Sequence, residues 1–492
     1  MKRKRLLYAI LAAVIAVVTL ANLVGCKPGA EYNTPTSGAT SSASSGATSS
    51  ASSGATSGAS SGGREDPTGD VTPVLTGGGK QAFEHGVMGK GVGINPGRVT
   101  WAYAPGVFTW NGAGYWWNIT NFDTEKVRTM LLDSLYALTN TDSETAAWRA
   151  LFEYTDTKRG VEKGYRKGDG IAIKLNMNGC NSLTGGTNIL FSSPVFLREL
   201  LESMVRAGVE PGDITVFDCT RVIPSPMTRY CSAGIARGVN FKYGEECLSG
   251  AEIVWSSDEV KGEKSYIPDF VVSAKYFLNL SGMKGHDLAG MTATGKNLFG
   301  AFITESNRSA SPWAAGLHEL VAAHYYSSDY PGRDMGTYNP IVDLMCNAYM
   351  GQKTVLYVAE AFVCTPKQNA EVDPRTCKWE IAPFNGDWTS SLIMSQDPVA
   401  IDSVCCDFIN AEPSVARNGD AIDPNSTMQN YLHEAAQIPA PASGTDYRDG
   451  KGNSLKTSPG VHEHWADANT KQYSRNLGKS EGIELYKMDY SK

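Results

Sequence analysis

Polar and charged side chains suited to binding an anion recur directly after apolar segments of this 492-residue chain. Lysine and arginine neutralise phosphate or carboxylate groups, histidine transfers protons near neutral pH, and carboxylates hold divalent metal ions. Each residue alone is ordinary, but their repeated position after strand-like segments predicts a common site. The residues of this set are Lys174, Asn176, Asp218, Arg221, Lys284, His286, Lys296, Asn297, Asp397 and Asp402.

The residue types suggest three roles within this set. His286 is expected to act as general acid or base, and the other candidate catalytic residues are Lys284, Lys296 and Asp397. The residues expected to contact an anion or another ligand are Lys174, Asn176, Arg221 and Asn297. Asp218 and Asp402 are candidate ligands of a divalent metal, although the cofactor, if there is one, stays open.

Structural roles compete with these functional ones. Asp397 precedes Pro398, so it also fits the N-cap of a helix that begins at this proline. The segment 294–297, Thr-Gly-Lys-Asn, is a candidate anion cradle but lacks the full phosphate-loop pattern. His462 and His464 could bind a metal from one face of a strand, although packing at the surface is the simpler interpretation.

The pattern of apolar residues predicts that strands and helices alternate. Segments 171–175 and 213–218 are typical of buried strands. Between them a helix is predicted to begin at Ser193 and Pro194 and to end at Gly208. Further strands are predicted at 276–280, 354–358 and 391–394, and further helices at 127–138 and 146–154.

This alternation indicates an α/β fold with a mainly parallel sheet and flanking helices, in one large domain or two fused lobes. Ligands of such sheets bind beyond the carboxyl ends of the strands. We therefore expect Lys174, Asp218, His286, Lys296 and Asp397 to converge in one cleft.

The N-terminus is typical of an exported protein. Four basic residues at 2–5 precede an apolar run, and the sequence Leu-Val-Gly-Cys at 23–26 resembles a bacterial lipobox, in which Cys26 is lipidated. An uncleaved anchor helix is the alternative. The predicted organisation is a signal peptide at 1–25, a lipidated Ser/Gly/Ala/Thr-rich tether at 26–77 and an α/β domain at 78–492.

Charge limits the partners of the exported chain. Loss of the signal peptide removes four basic and no acidic residues, which changes the net charge from −7 to −11. This argues against nucleic acid as a partner and against electrostatic attachment to anionic lipid. We expect the acyl chains to anchor the domain on the extracytoplasmic face of a cell membrane or envelope.

Cysteine and aromatic residues suggest few additional sites. The chain has no Cys-x-x-Cys motif, so an iron–sulfur cluster is not expected. Cys364 and Cys377 bracket a polar loop and are the best candidates for a disulfide in an oxidising compartment. The aromatic residues between Trp101 and Trp117 could stack on sugars, but covering a sheet edge is the simpler role.

Four segments also resemble the family named domain of unknown function 362. They are 171–176 (IAIKLN), 277–286 (FLNLSGMKGH), 294–300 (TGKNLFG) and 395–402 (SQDPVAID). The resemblance covers roughly residues 90–480. It implies that Lys284, His286, Lys296, Asn297, Asp397 and Asp402 occupy motif positions, and it implies no substrate. Some members carry an iron–sulfur module, but the corresponding cysteines are missing here, so electron transfer is not implied.

Three functions remain open at this point. The first is an enzyme that acts on a phosphorylated or carboxylated small molecule or envelope component, with the cations as its binding groups. The second is a non-catalytic receptor for an anion, which would not need His286. The third is a structural or sugar-binding surface protein that uses the aromatic residues near Trp101.

Overall fold

The computed structural model describes residues 74–76, 80–82, 86–418 and 427–491, which belong to one compact unit. Its strands, in chain order, are β1 (Val74–Thr76), β2 (Lys80–Ala82), β3 (Met88–Gly89), β4 (Arg98–Tyr103), β5 (Ile171–Lys174), β6 (Ile214–Asp218), β7 (Asn240–Tyr243), β8 (Ser249–Glu252), β9 (Ser265–Pro268), β10 (Tyr276–Gly282), β11 (Lys284–His286), β12 (Gly290–Thr292), β13 (Ile303–Thr304), β14 (Thr354–Ala361), β15 (Lys378–Trp379), β16 (Asp387–Trp388), β17 (Ser391–Ser395), β18 (Val461–His462) and β19 (Glu484–Asp489).

Helices connect many of these strands. In chain order they are α1 (Thr124–Thr139), α2 (Glu144–Arg159), α3 (Pro194–Arg206), α4 (Ser225–Cys231), α5 (Asp269–Ser273), α6 (Thr294–Asn297), α7 (Ser311–Ala314), α8 (Pro340–Met345), α9 (Pro398–Ala411), α10 (Pro413–Asn418) and α11 (Asn430–Ala436).

An eight-stranded sheet in the order β19-β4-β17-β14-β10-β5-β6-β7 forms the centre of the described residues. Neighbours from β14 through β7 are parallel, and β19 is parallel to β4. Only β17 is antiparallel to its neighbours in this sheet, β14 and β4. The prediction of an α/β fold with a mainly parallel sheet is confirmed.

Alternating side chains bury the two faces of the sheet in two apolar cores. Ile171 and Ile173 of β5 pack in one core with residues of α1, α2 and α3, whereas Ala172 packs in the other core with residues of α9. This alternation follows from the two-residue period of a strand. Because both faces are covered by helices, the ends of the strands are the positions left for a site.

The helix between β5 and β6 begins and ends as its sequence predicts. The Ser193 hydroxyl accepts a hydrogen bond from the Phe196 amide, and Pro194 occupies the first turn. Proline fits there because that amide has no partner within the helix. Gly208, with φ of +99°, lies just after the end of α3 and allows the chain to turn toward β6.

The aromatic residues near the N-terminal strand of the sheet are mostly core residues. Trp101 in β4 and Trp116 are each 1% exposed, and Trp101 packs edge-on against Phe408 with ring centroids 4.9 Å apart. Tyr115, 40% exposed, is stacked on Trp117. Trp101 and Trp116 are therefore core residues, and their buried rings are not available to a sugar.

The predicted disulfide between Cys364 and Cys377 is wrong, because both thiols are free and buried. Cys364 Sγ accepts a hydrogen bond from the Thr389 hydroxyl at 3.5 Å, and Cys377 Sγ accepts one from the Asp373 amide at 3.4 Å. The loop between the two cysteines is thus fixed by hydrogen bonds to each thiol separately.

The predicted signal peptide, Cys26 and nearly all of the tether lie outside the described residues. Within the part of the chain that is described, no helix has the length and apolar character needed to cross a membrane.

Candidate functional site

Seven of the ten predicted site residues line one pocket of about 240 Å³ beyond the carboxyl ends of β5, β6 and β10. Parallel strands bring the loops that follow them to the same edge of the sheet, which is why residues far apart in sequence meet here. The seven residues are Lys174, Asn176, Asp218, Arg221, His286, Lys296 and Asn297.

An ion pair between Lys174 and Asp218 forms the floor of the pocket. The two groups are 2.9 Å apart, and both side chains are almost completely buried. Asp218 also accepts hydrogen bonds from the backbone amides of Thr220 and Arg221, at 2.8 and 3.0 Å. Its oxygens are therefore occupied by protein donors, which argues against the predicted metal-binding role.

A glycine makes room for this ion pair. A Cβ added to Gly300 would lie 2.8 Å from Lys174 Nζ and 3.2 Å from Asp218 Oδ1. Any side chain at this position would have to displace the paired groups. Gly300 lies in the Gly-Lys-Asn-Leu-Phe-Gly segment, so its place beside the site gives a physical reason for the last residue of that motif.

Buried amides fix the orientation of the groups around the ion pair. Asn297 Nδ2 donates to Asn279 Oδ1 at 2.8 Å, and Asn297 Oδ1 accepts from Asn176 Nδ2 at 3.1 Å. Lys284 lies behind this network and donates to Asn176 Oδ1 at 3.1 Å and to the Leu190 carbonyl at 3.2 Å. Lys284, a candidate catalytic residue in the sequence analysis, thus supports a pocket residue and does not itself line the pocket.

Lys296 differs from the other buried lysines because its ammonium group has no hydrogen-bond acceptor among the described residues. The side chain is 8% exposed, and Nζ lies 3.8 Å from the centre of the Phe299 ring. Burial, reinforced by the charges of Lys284 and Arg221, lowers the pKa of Lys296 to about 7. A ring face attracts a cation but does not replace a counter-ion.

Arg221 adds positive charge to the same pocket. Its Nη1 donates to the carbonyls of Thr220 and Ser309, at 2.9 and 3.0 Å, while Nε is buried without a partner in the structure as described. Lys174 is neutralised by Asp218, so Lys296 and Arg221 leave the lining with uncompensated positive charge. A buried charge of this kind is costly until an anion binds.

His286 is held in one orientation by backbone amides. Its Nδ1 accepts hydrogen bonds from Leu288 and Ala289, each at 3.1 Å, so the neutral ring carries its proton on Nε2. Burial and then the charge of Lys296 lower the pKa of His286 well below its ordinary value. The unliganded site therefore contains a neutral hydrogen-bond donor at this position, whereas the sequence suggested a general acid or base.

Asp402 holds α6, the short helical turn that carries Lys296 (the Lys296 turn), and does not line the pocket. Its carboxylate accepts hydrogen bonds from the Thr294 amide and hydroxyl, the Gly295 amide and the Tyr431 hydroxyl, at 2.7–2.8 Å. Four donors saturate the two oxygens. The expectation that Asp402 is a metal ligand is therefore not supported, and its contacts indicate a positioning role.

The prediction that Asp397 converges with the other residues is wrong. It follows β17, which runs antiparallel to β14, so its loop lies at the opposite edge of the sheet. Asp397 caps α9 through the amides of Val399 and Ala400 and also accepts from Val92 at 2.9 Å. The helix cap, which the sequence offered as the alternative, is the role that the structure supports.

Several pocket residues were missed by the sequence analysis. His318 stacks on Trp313 with ring centroids 3.6 Å apart, and both line the pocket together with Tyr326, Gln368 and Asn369. Burial and the charge of Lys296 lower the pKa of His318 to about 2. These residues lie on long connections between strands, where elements such as the four-residue α7 with Trp313 are too short to show a periodic pattern that could have identified them.

Residues 171–407 match the model of a family described as a domain of unknown function, DUF362. This range begins with β5, ends within α9 and contains all ten predicted residues. No curated protein matches the chain.

Proposed function

Given that the chain belongs to the DUF362 family through residues 171–407, we propose that its pocket binds a small molecule carrying a phosphate or carboxylate group and catalyses proton transfer on it. The observation that carries the proposal is the buried Lys296 ammonium group, which lacks an acceptor among the described residues. A protein gains from such an arrangement when a ligand supplies the missing negative charge.

Three donors are available to this anion. Lys296 Nζ, Arg221 Nε and the Nε2 proton of His286 have no protein acceptor in the described structure, and all three residues line the pocket. Their positions are fixed before the ligand arrives. Lys296 lies on α6, Arg221 donates to backbone carbonyls, and His286 belongs to the β11–β12 hairpin. Preorganised donors of this kind stabilise charge that develops on a substrate.

Proton transfer is assigned to Lys296. With a pKa of about 7 this lysine is present in both protonation states near neutral pH, which is the property required of a general acid or base. The protonated Lys296, which the bound anion favours, would donate its proton to the substrate, while His286 and Arg221 donate hydrogen bonds to the anionic group of the substrate. The bond that is subsequently made or broken depends on the substrate.

The location of this activity is part of the proposal. The lipobox-like sequence before Cys26 supports a domain that is anchored by lipid to the extracytoplasmic face of a cell membrane or envelope. The ligand would then be a phosphorylated or carboxylated molecule outside the cytoplasm or a component of the envelope.

A non-catalytic receptor is the second candidate. It is favoured by the number of groups already satisfied within the protein, since Lys174, Lys284, Asp218 and Asp402 all have protein partners. The two functions differ in whether Lys296 must lose its proton.

Binding is tested by calorimetric titration of the purified protein with inorganic phosphate, pyrophosphate and citrate. We expect saturable binding that weakens with salt and a loss of at least about tenfold in affinity in Lys296→Met, equivalent to about 1.4 kcal/mol. Lys126→Met, at an exposed ion pair with Asp123, is the matched control. Equal affinity in wild type and Lys296→Met would refute the anion site.

Catalysis is tested with Lys296→Arg. Arginine keeps the positive charge but does not deprotonate in proteins. Any phosphorylated or carboxylated metabolite that binds the wild type is incubated with both proteins, and its conversion is followed by mass spectrometry. Binding by both with turnover only by the wild type supports the enzyme, whereas binding without turnover by either supports the receptor.

A further inference from the structure

Three histidines outside the family-matched segment converge in the C-terminal part of the chain. His433 lies on α11, His462 ends β18, and His464 follows two residues later. One ring nitrogen from each histidine lies within 4.8 Å of the other two. None of the three lines the anion pocket, so this cluster is independent of the proposed function.

The distances between the rings fit a shared metal ion. Nε2 of His433 and Nε2 of His462 are 3.2 Å apart. Two nitrogens bound tetrahedrally to zinc at 2.0–2.1 Å are separated by about 3.3–3.4 Å. The two rings therefore hold almost the spacing of zinc ligands.

Hydrogen bonds from the other ring nitrogen orient two of these histidines. His462 Nδ1 is 2.8 Å from the Ser403 hydroxyl, and His464 Nδ1 is 2.5 Å from Asp407 Oδ1. Asp407 is itself fixed, because its Oδ2 accepts from the Tyr473 hydroxyl at 2.8 Å and from the Trp465 amide. A carboxylate behind an imidazole is the usual second layer of a histidine–metal site.

A hydrogen bond between His433 and His462 is the simpler explanation of their contact. One shared proton would suffice for that pair. It does not explain why His464, held by Asp407, brings a third ring nitrogen within 4.8 Å of the other two beside two rings that are 1% and 0% exposed, those of His433 and His462.

We propose that His433, His462 and His464 bind a divalent transition-metal ion, with Zn²⁺ as the best match. Imidazole ligands suit zinc and its first-row neighbours, whereas calcium and magnesium require oxygen ligands. Three protein ligands leave a fourth position for water. The ion joins α11 and the segment after β18 to α9, which supplies Ser403 and Asp407.

The test is zinc binding by the full-length protein after removal of metal with a chelator. We expect one Zn²⁺ per chain by calorimetry and mass spectrometry, and a rise in melting temperature when Zn²⁺ is restored. His433→Gln and His462→Gln should weaken binding at least about 100-fold, and Asp407→Asn about 10–100-fold. His324→Gln, which changes a histidine outside the cluster, should bind as the wild type does.

Two further readouts separate this site from other causes. Co²⁺ in place of Zn²⁺ should give visible absorption bands of a tetrahedral nitrogen site without a thiolate charge-transfer band, which excludes the buried cysteines as ligands. If a glutamine variant fails to fold by circular dichroism, chelation of the wild type and Asp407→Asn decide the matter. Absence of tight Zn²⁺ binding by the wild type, or equal binding by Asp407→Asn, would overturn the proposal.

Discussion

Two of the buried lysines near the pocket, Lys284 and Lys296, have similar pKa values for partly different reasons. Burial is the largest cause of the shift for both residues, and the pKa of each is lowered to about 7. Lys284 donates two hydrogen bonds, whereas Lys296 donates none within the described residues. The same pKa is therefore compatible with a supporting role for Lys284 and a ligand-binding role for Lys296.

Anion affinity should depend on pH through Lys296. The bound anion favours the ammonium form, so binding raises the pKa of this lysine above its free value of about 7. Affinity is then highest below pH 7 and falls by up to about tenfold per pH unit above it, until the pKa of the bound state is reached. Calorimetric titration with phosphate between pH 6 and 9 measures this.

Lys296→Arg provides the control for this dependence, because its charge does not change over the same range. A nearly flat profile is expected for the variant after correction for the ionisation of phosphate itself. A persistent fall in the variant would assign the dependence to Lys284, whose pKa is also about 7.

At the scale of elements, the turn that carries Lys296 depends on a side chain from another helix. Asp402 of α9 accepts from the amides of Thr294 and Gly295, which open α6. In Asp402→Asn one oxygen becomes an NH₂ group that faces donors. We expect the free energy of unfolding to fall by about 2–4 kcal/mol, since buried donors lose their acceptor, and phosphate affinity to fall with it.

Urea denaturation and phosphate titration measure these two effects. Asp123→Asn is the matched control, because Asp123 caps the exposed start of α1 through the Lys126 amide. Asparagine is as good an N-cap as aspartate, so this change should be close to neutral. An equally small effect of Asp402→Asn would show that the turn is stable without its carboxylate.

Strands and helices with strong local signals could be predicted from the sequence. The Ser193–Pro194 cap, α1, α2 and β5 depend on neighbours close in the chain, which a periodic pattern records. The direction of β17 could not be predicted, because a buried strand has the same apolar sequence pattern whether its neighbours are parallel or antiparallel. That single direction removes Asp397 from the site.

Residues after β5, β6 and β10 were identified because polar groups follow buried strands that run in one direction. Arg221 and Lys296 are of this kind. His318 and Trp313 were missed because they reach the pocket from a long connection whose path depends on tertiary contacts. His433 was likewise not linked to His462, since a helix and a distant strand share no local pattern.

At the scale of the whole molecule, the described residues form a charged pocket and a histidine cluster, and neighbouring residues of one helix, α9, contact both. Asp402 of α9 holds the Lys296 turn, and the next residue, Ser403, contacts His462. The helix therefore lies between the two proposed sites. Both can be assayed in one protein, because phosphate and Zn²⁺ binding have separate residues and separate controls.

The proposed lipid anchor concerns the part of the chain outside the described residues and is tested in cells. We expect the wild type to incorporate a labelled fatty acid in a bacterial host that processes lipoproteins and Cys26→Ser to incorporate none, because the Cys26 thiol is the atom that would be acylated. Cys346→Ser, which alters a buried thiol, should be labelled like the wild type. An unlabelled wild type, or equal labelling of Cys26→Ser, would contradict lipidation at Cys26, and retention in the membrane without label would instead favour an uncleaved apolar anchor.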